Sequence, residues 1–425
     1  MKRMKRDKLD SLLNRAAGPA PFAAAPTTPV ASTSQPPAEG FIDRLLRRPM
    51  VNLDTPEAQR FLAGKRVLVT GAGGSIGSEI CRQTLKFLPE RLILVEQAEG
   101  ALFEVDQELR HRWLGADLTP YVADIGDKRR IARIFNAERP HVIFHCAAHK
   151  HVPMMEINPG EAIKNNVLGT KIVADAAAAC GAAAFVMVST DKAVNPTSVM
   201  GTTKRFAELY IQSLNESAVG SRQSAVNTVN SLPTAHCPPP TRFVAVRFGN
   251  VLGSSGSVVP IFQKQINAGG PVTVTHPDMR RYFMTIPEAS QLVLQAGAIG
   301  QGGEIFVLDM GEPVRILDLA EEMIRLAGKR PHDDIAIEFT GMRAGEKLFE
   351  ELATDNEKTR PTSHAKIRVW QLPTATRGDI EKGLQQLGDV IDGPRDQAVA
   401  ALMTAVNEYR PTAPATKMRV VSDAA

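Results

Sequence analysis

Three adjacent residues, Thr190, Asp191 and Lys192, have side chains that can hold a hydroxyl group, donate a proton and accept one. These are the steps of general acid–base catalysis. A second lysine, Lys204, follows, and Met200 precedes it by four residues, so a helix would place both side chains on one face. A methionine at this spacing ordinarily fills a hydrophobic core. The cluster therefore predicts a site of proton transfer.

The elements around this cluster follow from the periodicity of the apolar residues. Segments of helical period, among them 74–88 and 127–137, alternate with apolar runs of strand length, which are RVLVT, RLILVE, YVAD, HVIFHC, AAFVMVST and RFVAVRF. This alternation predicts an α/β fold with a doubly wound parallel sheet. Asn158 and Pro159 predict the start of a helix that ends near Cys180. The run AAFVMVST ends at Thr190, and such sheets bind ligands at the carboxyl ends of their strands.

A glycine-rich turn follows the first predicted strand. It contains Gly71, Gly74, Ser75, Ile76 and Gly77, and it leads into a helix. Gly71 would allow the tight turn, Gly74 the close approach of a pyrophosphate, and Gly77 the packing of the helix on the strand. The N-terminus of the helix favours the negative charge of phosphates. Strand, turn and helix together predict a Rossmann dinucleotide site, whereas the glycines alone would be weak evidence.

Residues after the next three strands predict the rest of the dinucleotide site. Glu96 ends the second strand, where a carboxylate can bind the adenosine ribose hydroxyls and repel a 2′-phosphate. This position favours NAD over NADP, and a solvated glutamate on a loop is the alternative interpretation. Asp124 and Ile125 follow the third strand and are expected to meet the adenine. Ala147 and Ala148 follow the fourth strand and are expected to flank the cofactor.

The excess positive charge of the chain is concentrated at its start. The 425 residues include 50 basic and 46 acidic side chains, which gives a net charge of +4. Residues 1–15 hold six basic and two acidic residues, which accounts for the whole excess. The rest of the chain is balanced, so we expect no nucleic-acid binding. Residues 1–15 could make weak contact with an anionic membrane or form a solvated tail.

The sequence also argues against a metal site, a disulfide framework and a membrane span. The four cysteines form no C-x-x-C pair and are expected to be reduced thiols. His149 and His151 flank Lys150 without a third ligand at a suitable spacing, so no metal site is predicted. No apolar run is long enough to cross a membrane, and no secretory signal follows the basic start. These features predict a cytoplasmic protein.

Several longer motifs make the sequence similar to a known family. They are VLVTGAGGSIGSE, HCAAHKHVPMMEINP, NNVLGT, VSTDKAVNPTSVMGTTK, VAVRFGNVLGSSGSVVP, THPDMRRYFMTI, GGEIFVLDMGEPV and RAGEK. Over residues 41–351 the chain resembles the UDP-N-acetylglucosamine 4,6-dehydratases of bacterial glycan and capsule biosynthesis, which are extended short-chain dehydrogenase/reductases. Members usually have a tyrosine four residues before the cofactor-binding lysine, whereas the long, membrane-anchored kind has methionine, as at Met200. The long kind normally has transmembrane helices and a further nucleotide-fold domain before this region, and we expect both to be missing here.

The resemblance implies a three-step reaction with NAD. Hydride leaves C4 of the sugar, a base removes the C5 proton while an acid protonates the departing C6 hydroxyl, and the hydride returns to C6. Lys192 matches the family's base and Asp191 its acid. Thr190 would bind the C4 hydroxyl, and Lys204 would orient the cofactor ribose. The acceptor of the C4 hydroxyl proton stays open between Asp191 and a water relayed by Thr190.

The resemblance also implies a UDP-sugar site and a homo-oligomer. The residues that match contacts to the substrate are His149, Lys150, Asn166, Asn250, Val259, Arg281, Arg343 and Glu346. Arginines suit a diphosphate by charge and geometry, although Arg343 and Glu346 also have the spacing of a surface ion pair. Two other functions stay open: a sugar-nucleotide C4-epimerase, and a catalytically silent scaffold that binds NAD or a nucleotide sugar. The Asp191 and Lys192 pair counts against both.

The expected organisation of the chain has five parts. They are a basic arm with a disordered Ala/Pro linker at 1–40, a helical lead-in at 41–62, the NAD-binding domain at 63–250 with a surface insertion at 215–241, a nucleotide-sugar-binding domain at 251–372, and a C-terminal extension at 373–425. After about Leu372 no regular pairing of strands and helices is predicted. The tail from Arg410 is expected to be loose.

Overall fold

The computed structural model describes residues 55–226, 240–352, 359–370 and 375–412, and for residues 216–226 it describes the backbone alone. The strands are β1 (Arg66–Thr70), β2 (Arg91–Glu96), β3 (Leu118–Val122), β4 (Val142–His145), β5 (Ala184–Val188), β6 (Arg242–Arg247), β7 (Asn250–Val251), β8 (Val272–Val274), β9 (Arg280–Arg281), β10 (Phe283–Met284), β11 (Ile305–Leu308), β12 (Val314–Arg315), β13 (Ile337–Phe339), β14 (Thr359–Pro361) and β15 (Ile367–Trp370).

The α-helices are α1 (Pro56–Leu62), α2 (Ser75–Leu85), α3 (Glu99–Arg112), α4 (Lys128–Glu138), α5 (Val152–Ile157), α6 (Pro159–Ala162), α7 (Thr170–Ala179), α8 (Val199–Val226), α9 (Val258–Asn267), α10 (Ile286–Ile299), α11 (Ile316–Leu326), α12 (Arg377–Asp389) and α13 (Arg395–Ala405). A π-helix over Ile163–Gly169 joins α6 to α7, and a short 3₁₀ helix covers Asp191–Ala193. None of the helices in the described part of the chain is both long and apolar enough to cross a membrane.

The central sheet has the order β14-β15-β11-β6-β5-β4-β1-β2-β3 within the described residues. The strands from β11 to β3 pair in parallel, whereas β15 and β14 extend the sheet in antiparallel pairing. The sheet order reverses direction at β1, and helices cover both faces. The predicted α/β fold with a doubly wound Rossmann sheet is therefore confirmed.

Alternating strand residues supply two hydrophobic clusters, one on each face of the sheet. In β1, Leu68 belongs to one cluster and Val67 and Val69 to the other. Each of these side chains is fully buried. Burial on both faces explains why the strands read as nearly continuous apolar runs in the sequence. It also fixes the register that brings the carboxyl ends of β1, β4 and β5 to one edge.

Residues after β6 add a second layer of short elements beyond this edge. In the part of the chain that the structure describes, three two-stranded sheets pair β7 with β10, β9 with β12, and β8 with β13. Helices α9 and α11 pack together around a third hydrophobic cluster that includes Phe262, Leu319 and Ile324. This layer lies after the main parallel strands in the chain and supplies residues to the same edge.

Three expectations from the sequence need correction. The helix predicted from Asn158 to Cys180 has Asn158 at its N-cap and is helical over that span, but it contains the π-helix. The Asn158 side chain donates to the Met154 carbonyl oxygen and makes no cap hydrogen bond. The insertion predicted at 215–241 begins inside α8, because 215–226 contains no proline and continues the helix. Its remainder, 227–239, lies outside the described residues, as do 1–54 and 413–425.

The third correction concerns the tail of the C-terminal extension, which is folded onto the rest of the protein as far as the structure describes it. The extension contains α12 and α13, and Tyr409 is fully buried. The tail expected to be loose from Arg410 is docked as far as Thr412. The Arg410 amide donates to the Pro196 carbonyl oxygen at 3.0 Å, and the Thr412 hydroxyl accepts from the Gly345 amide at 3.1 Å.

Candidate active site

The glycine-rich turn between β1 and α2 is shaped by close backbone contacts. Gly71 has a φ of +66°, and a Cβ there would lie 2.8 Å from the Ala147 backbone nitrogen. A Cβ at Gly77 would overlap the Gly71 carbonyl oxygen, so α2 can pack closely on the turn. Gly74 is the N-cap of α2 and is exposed. The predicted reasons for glycine at positions 71 and 77 agree with this geometry.

The turn opens onto a cavity of about 410 Å³ at the carboxyl ends of the strands. Of the expected cofactor residues, those that line the cavity are Gly71, Gly74, Ser75, Glu96, Ile125, Ala147 and Ala148. Ile76 and Gly77 lie behind this wall in α2, and Ile76 packs against the core. Asp124 is not among the lining residues, and its carboxylate accepts a hydrogen bond from the Gly126 amide at 2.7 Å.

Glu96 closes one side of this cavity and ties two loops together. Its carboxylate accepts hydrogen bonds from the amides of Gly73 at 3.1 Å, Gln97 at 2.9 Å and Ala98 at 3.0 Å. Gly73 was missed by sequence reasoning, and a Cβ there would lie 2.7 Å from the Ala101 Cβ. Glu96 is thus held at the cavity wall with its remaining lone pairs available to a ligand.

Lys204 is a buried lysine on α8 whose Nζ has no hydrogen-bond partner among the described residues. Burial lowers its pKa to about 8, although nearby Glu208 and Cys146 act to raise it. Lys204 is not among the residues that line the cavity, but Cys146, with which its head group interacts, does line it. An ammonium group without a partner is costly to bury. The orphaned Nζ therefore fits a bound group that supplies hydroxyl acceptors, such as the ribose of a dinucleotide.

Met200 lies one turn before Lys204 and is part of the hydrophobic core. Its side chain is 3% exposed, and its carbonyl oxygen accepts from the Thr203 hydroxyl at 2.8 Å. A thioether at this position offers no proton for transfer. Proton transfer at this site must therefore use other side chains.

Thr190, Asp191 and Lys192 form a hydrogen-bonded group just after β5. The Thr190 hydroxyl donates to Asp191 Oδ1 at 2.9 Å, and Lys192 Nζ donates to the same oxygen at 3.0 Å. Thr190 also caps the 3₁₀ helix by accepting from the Lys192 amide. Asp191 is 1% exposed, and its Oδ2 has no hydrogen-bond partner in the described ranges. The group joins a hydroxyl, a buried carboxylate and an ammonium.

A second carboxylate, missed by sequence reasoning, lies beside Lys192. Glu350 Oε1 is 3.5 Å from Lys192 Nζ, and Asn250 Oδ1 accepts from the same ammonium group at 3.3 Å. Burial lowers the pKa of Lys192, but Asp191 and Glu350 outweigh burial, and the net effect raises this pKa. Lys192 is therefore a charged ammonium group in the free protein at neutral pH. Nothing in the local sequence pattern signalled Glu350.

Another buried hydrogen-bond network holds the carboxyl end of β5 in place. Glu208 lies one turn after Lys204 on α8 and accepts from the Ser189 hydroxyl at 2.6 Å and from Arg247 Nε at 2.7 Å. The Arg247 guanidinium stacks on the Trp370 ring at 4.1 Å. These contacts fix the residue that precedes Thr190. The spacing of Lys204 and Glu208 on one helix face could have indicated this role.

Asn166, expected to contact the substrate, fastens the loop after β4 through its own hydrogen bonds. It is fully buried in the π-helix, accepts from the His149 amide at 2.8 Å, and donates to the His149 carbonyl and the Thr203 hydroxyl at 3.1 Å each. The wider turn of the π-helix places Asn165 at the cavity wall. Such turns are frequent at functional sites. His149 lines the cavity, and Lys150 is exposed next to it.

The remaining predicted substrate residues differ in burial and in their partners. Arg281 is buried and donates to the carbonyl oxygens of Arg280, Lys347 and Leu348, and Asn250 lies beside Lys192 as described. Val259 is buried in the third hydrophobic cluster, so its side chain packs within the protein. The other two predicted residues form a turn, in which Arg343 is exposed and its amide donates to the Glu346 carboxylate at 2.9 Å. Within the described ranges, no group of three or more His, Cys, Asp and Glu side chains could hold a metal ion.

A comparison with protein families matches residues 67–372 to the model described as polysaccharide biosynthesis protein. The chain is 56% identical over 317 residues to the capsular polysaccharide biosynthesis protein CapD of Staphylococcus aureus, covering 74% of this chain and 49% of that protein. It is 49% identical to the probable polysaccharide biosynthesis protein EpsC of Bacillus subtilis, covering 85% and 57%. The chain thus spans about half the length of these curated relatives.

More distant relatives have names that state a reaction. The chain is 32% identical to a UDP-N-acetylglucosamine 4,6-dehydratase (inverting) of Campylobacter jejuni, covering 69% of this chain and 78% of that one. It is 30% identical to a UDP-glucose 4-epimerase of Rickettsia canadensis, covering 70% and 80%. The solved structure of Pen from Bacillus thuringiensis is similar, with a TM-score of 0.63 and 32% identity over 75% of this chain and 92% of that one. The chain belongs to the polysaccharide biosynthesis protein family.

Proposed function

We propose that this protein is an NAD-dependent lyase that removes water from UDP-N-acetylglucosamine. The product would be a UDP-2-acetamido-2,6-dideoxy-4-hexulose for bacterial surface glycans. The observation that carries the proposal is the hydrogen-bonded group of Thr190, Asp191 and Lys192 at the end of β5. An acid and a basic group side by side at a strand end meet the needs of an elimination at C5 and C6.

The cavity beside β1 fits the proposed cofactor. The N-terminus of α2 and the turn at Gly71 would hold the pyrophosphate, Glu96 the adenosine ribose, and Lys204 the nicotinamide ribose. The unpartnered Nζ of Lys204 supports this assignment, because a bound ribose would give it acceptors. When bound, NAD supplies the acceptor for the C4 hydride, which is returned at C6.

Thr190 and Asp191 would replace the missing tyrosine. The Thr190 hydroxyl already donates to Asp191 Oδ1, so a proton from the C4 hydroxyl could pass through Thr190 to that carboxylate. Asp191 would then hold one proton to give to the departing C6 hydroxyl, which leaves as water. The proton taken at C4 is thus the proton used at C6. This route favours Asp191 over a relayed water as the final acceptor.

Lys192 would remove the C5 proton and return one to C5 when the hydride arrives at C6. It must first lose its own proton, because the free protein holds it as an ammonium group between two carboxylates. That proton would pass to solvent water, since 19% of the Lys192 side chain is exposed, and would be recovered from solvent after the cycle. Protonation of Asp191 removes one of these negative charges and so favours the neutral amine. Transfer of the C4 hydroxyl proton to Asp191 would therefore prepare Lys192 to act as the base.

A sugar-nucleotide C4-epimerase is the second candidate, and the relative named as a UDP-glucose 4-epimerase supports it. An epimerase needs the same cofactor and a proton acceptor at C4, but it needs no acid–base pair at C5 and C6. The placement of Lys192 against two carboxylates is therefore unexplained in an epimerase. A silent scaffold that binds NAD would still use Lys204, but it would leave the hydrogen bond from Thr190 to Asp191 without a purpose.

Product analysis tests the proposal. The purified protein is incubated with UDP-N-acetylglucosamine and the mixture is followed by NMR and mass spectrometry. We expect a dehydrated 4-keto sugar, and Lys192→Ala, with its cofactor content unchanged, should not form it. Formation of the C4 epimer without loss of water would instead establish the second candidate.

A further inference from the structure

Glu350 is a buried carboxylate that the proposed reaction leaves without a role. Its side chain is 3% exposed, and its Oε1 lies 3.5 Å from Lys192 Nζ and 3.7 Å from Arg281 Nε. Its Oε2 is buried and has no hydrogen-bond partner among the described residues. A carboxylate so shielded from water is stable only if cations compensate its charge. The negative charge of Glu350 therefore depends on the positive charges of Lys192 and Arg281 for compensation.

The backbone around Glu350 is fixed to the strand that carries Arg281. The Arg280 amide donates to the Leu348 carbonyl oxygen at 3.2 Å, and the backbones of Arg280 and Phe349 form an isolated parallel β-bridge. The Arg281 guanidinium donates to the Lys347 and Leu348 carbonyl oxygens at 2.8 and 3.2 Å. Glu350 therefore follows directly after three residues, 347–349, whose backbone is held against β9.

The charged groups that face Lys192 are Asp191 from its own segment, Glu350, and Arg281 from β9. The carboxylates act to raise the pKa of Lys192, whereas Arg281 and burial act to lower it. Asn250 is the neutral hydrogen-bond partner of Lys192, and Tyr282 lies close enough to Asp191 to interact with its charge. Once Asp191 is protonated in the proposed reaction, Glu350 is the remaining negative group beside the lysine. Its contact then decides how readily Lys192 gives up its proton.

We propose that Glu350 is a positioning residue that holds Lys192 beside Asp191 and controls its charge state. The inference rests on the proposed function for its meaning, but it can be measured without any substrate. Glu350 need not touch the sugar, because it acts through the ammonium group and through Arg281. The Lys192 ammonium group would then lie between two carboxylates, those of Asp191 and Glu350, and Arg281 would pair with Glu350 from the other side.

The charge state of Lys192 can be read directly by competitive acetylation with acetic anhydride across a pH series, with the labelled peptide quantified by mass spectrometry. In Glu350→Gln we expect the titration of Lys192 to move to lower pH by about one unit or more, because an opposite charge within about 4–6 Å shifts a pKa by that amount. Glu350→Asp keeps the charge and should stay closer to the wild type. Glu351→Gln is the matched control, since Glu351 pairs with Lys347 and Asn195.

An unchanged Lys192 titration in a folded Glu350→Gln protein would overturn the proposal, as would an equal shift in Glu351→Gln. Circular dichroism and melting curves establish that the variants are folded, and Glu350→Asp gives a second reading if Gln is unstable. With active enzyme, the acid limb of the pH dependence of kcat/KM should shift to lower pH in Glu350→Gln. A loss of kcat without that shift indicates a merely structural role and contradicts the proposal. Failure of the wild type to dehydrate the sugar would reject the proposed function while leaving the labelling result valid.

Discussion

Asp191 and Lys192 divide the proton transfers of the proposed reaction because they have different partners. Asp191 receives a hydrogen bond from Thr190, whereas Lys192 is held by both Asp191 and Glu350. A group that takes the C4 hydroxyl proton and a group that takes the C5 proton are thus adjacent but distinct. Replacement of each residue should stop the reaction at a different bond.

Replacing Lys192 by alanine should abolish exchange of the C5 proton with deuterated solvent, and dehydration should fall by about 10²- to 10⁴-fold, as expected for the loss of an acid–base group. Asp191→Asn should instead block removal of the C4 hydroxyl proton, so that neither a 4-keto sugar nor loss of the C6 hydroxyl is observed. Both effects are followed by NMR of the sugar in deuterated buffer. Persistent C5 exchange in Lys192→Ala would remove this lysine from the role.

Lys204 offers a prediction about stability that needs no substrate. Burial lowers its pKa to about 8 from an ordinary value of 10.5, so the unfolded chain holds the proton more tightly than the folded protein. Below pH 8 burial of the charged Lys204 ammonium group lowers the free energy of unfolding by its full amount, and this loss declines as the pH rises towards 10.5. Lys204→Met should therefore stabilise the cofactor-free protein at pH 7, by on the order of 1–3 kcal/mol.

Urea denaturation of both proteins, stripped of cofactor, at pH 7 and pH 10 measures this effect. The difference in unfolding free energy between Lys204→Met and the wild type should be smaller at pH 10 than at pH 7. In a separate measurement before the cofactor is removed, the Lys204→Met protein should be purified without bound NAD. A variant that is less stable than the wild type at pH 7 would contradict the assignment of an unpartnered buried lysine.

Residue spacing predicted much of the site but not all of it. Gly71, Gly77 and Glu96 could be placed because a turn between a strand and a helix fixes their backbone positions locally. Glu350 could not, because its approach to Lys192 depends on how a distant segment pairs with β9. The packing of Val259 and the clamping role of Asn166 also depend on tertiary contacts that no local pattern encodes.

The C-terminal helices α12 and α13 pack against the elements that support the site. Arg395 donates to the Glu156 carbonyl oxygen at 2.8 Å and pairs with its carboxylate at 3.2 Å. Glu156 in turn accepts from the Val199 amide at 2.7 Å, at the start of α8. Glu408 pairs with Arg205 of the same helix. The extension therefore helps to fix the helix that carries Met200 and Lys204.

Gly160 tests this docking at the level of the elements. A Cβ there would overlap the Ile391 carbonyl oxygen in the link between α12 and α13. Gly160→Ala should lower the free energy of unfolding by about 1–3 kcal/mol, as overpacking typically does. Gly100→Ala, in α3 with open space around it, should instead raise this free energy by roughly 0.5–1 kcal/mol.

Both free energies are obtained from urea denaturation curves. Equal effects of the two substitutions would mean that the contact between Gly160 and Ile391 does not hold the extension in place.

Strands and helices with a clear apolar pattern in the sequence were predicted, and those with a weak pattern were not. The parallel strands were found because burial on both faces makes them apolar throughout, and β2 has the predicted limits. Helix α12 was missed because it is largely polar, and α13 because its apolar residues do not form a regular stripe; only a few residues of each, such as Leu384 and Leu402, are buried. The π-helix was missed because a widened turn leaves the apolar pattern of a helix nearly unchanged.

At the scale of the whole molecule, the proposed reaction returns every hydride it removes, so the cofactor is not consumed. The protein should therefore turn over without added NAD, and NAD should be released when purified protein is denatured. Chromatography of the released nucleotide identifies it. Recovery of mainly NADP would contradict the role given to Glu96.

The fate of the hydrogen at C4 tests the central claim most directly. UDP-N-acetylglucosamine that carries deuterium at C4 is incubated with the protein, and the product is analysed by NMR. A 4,6-dehydratase should lose water and place that deuterium on C6 of a 4-keto sugar. Recovery of the deuterium at C4 of an epimer, with the C6 hydroxyl still present, would contradict the proposed function.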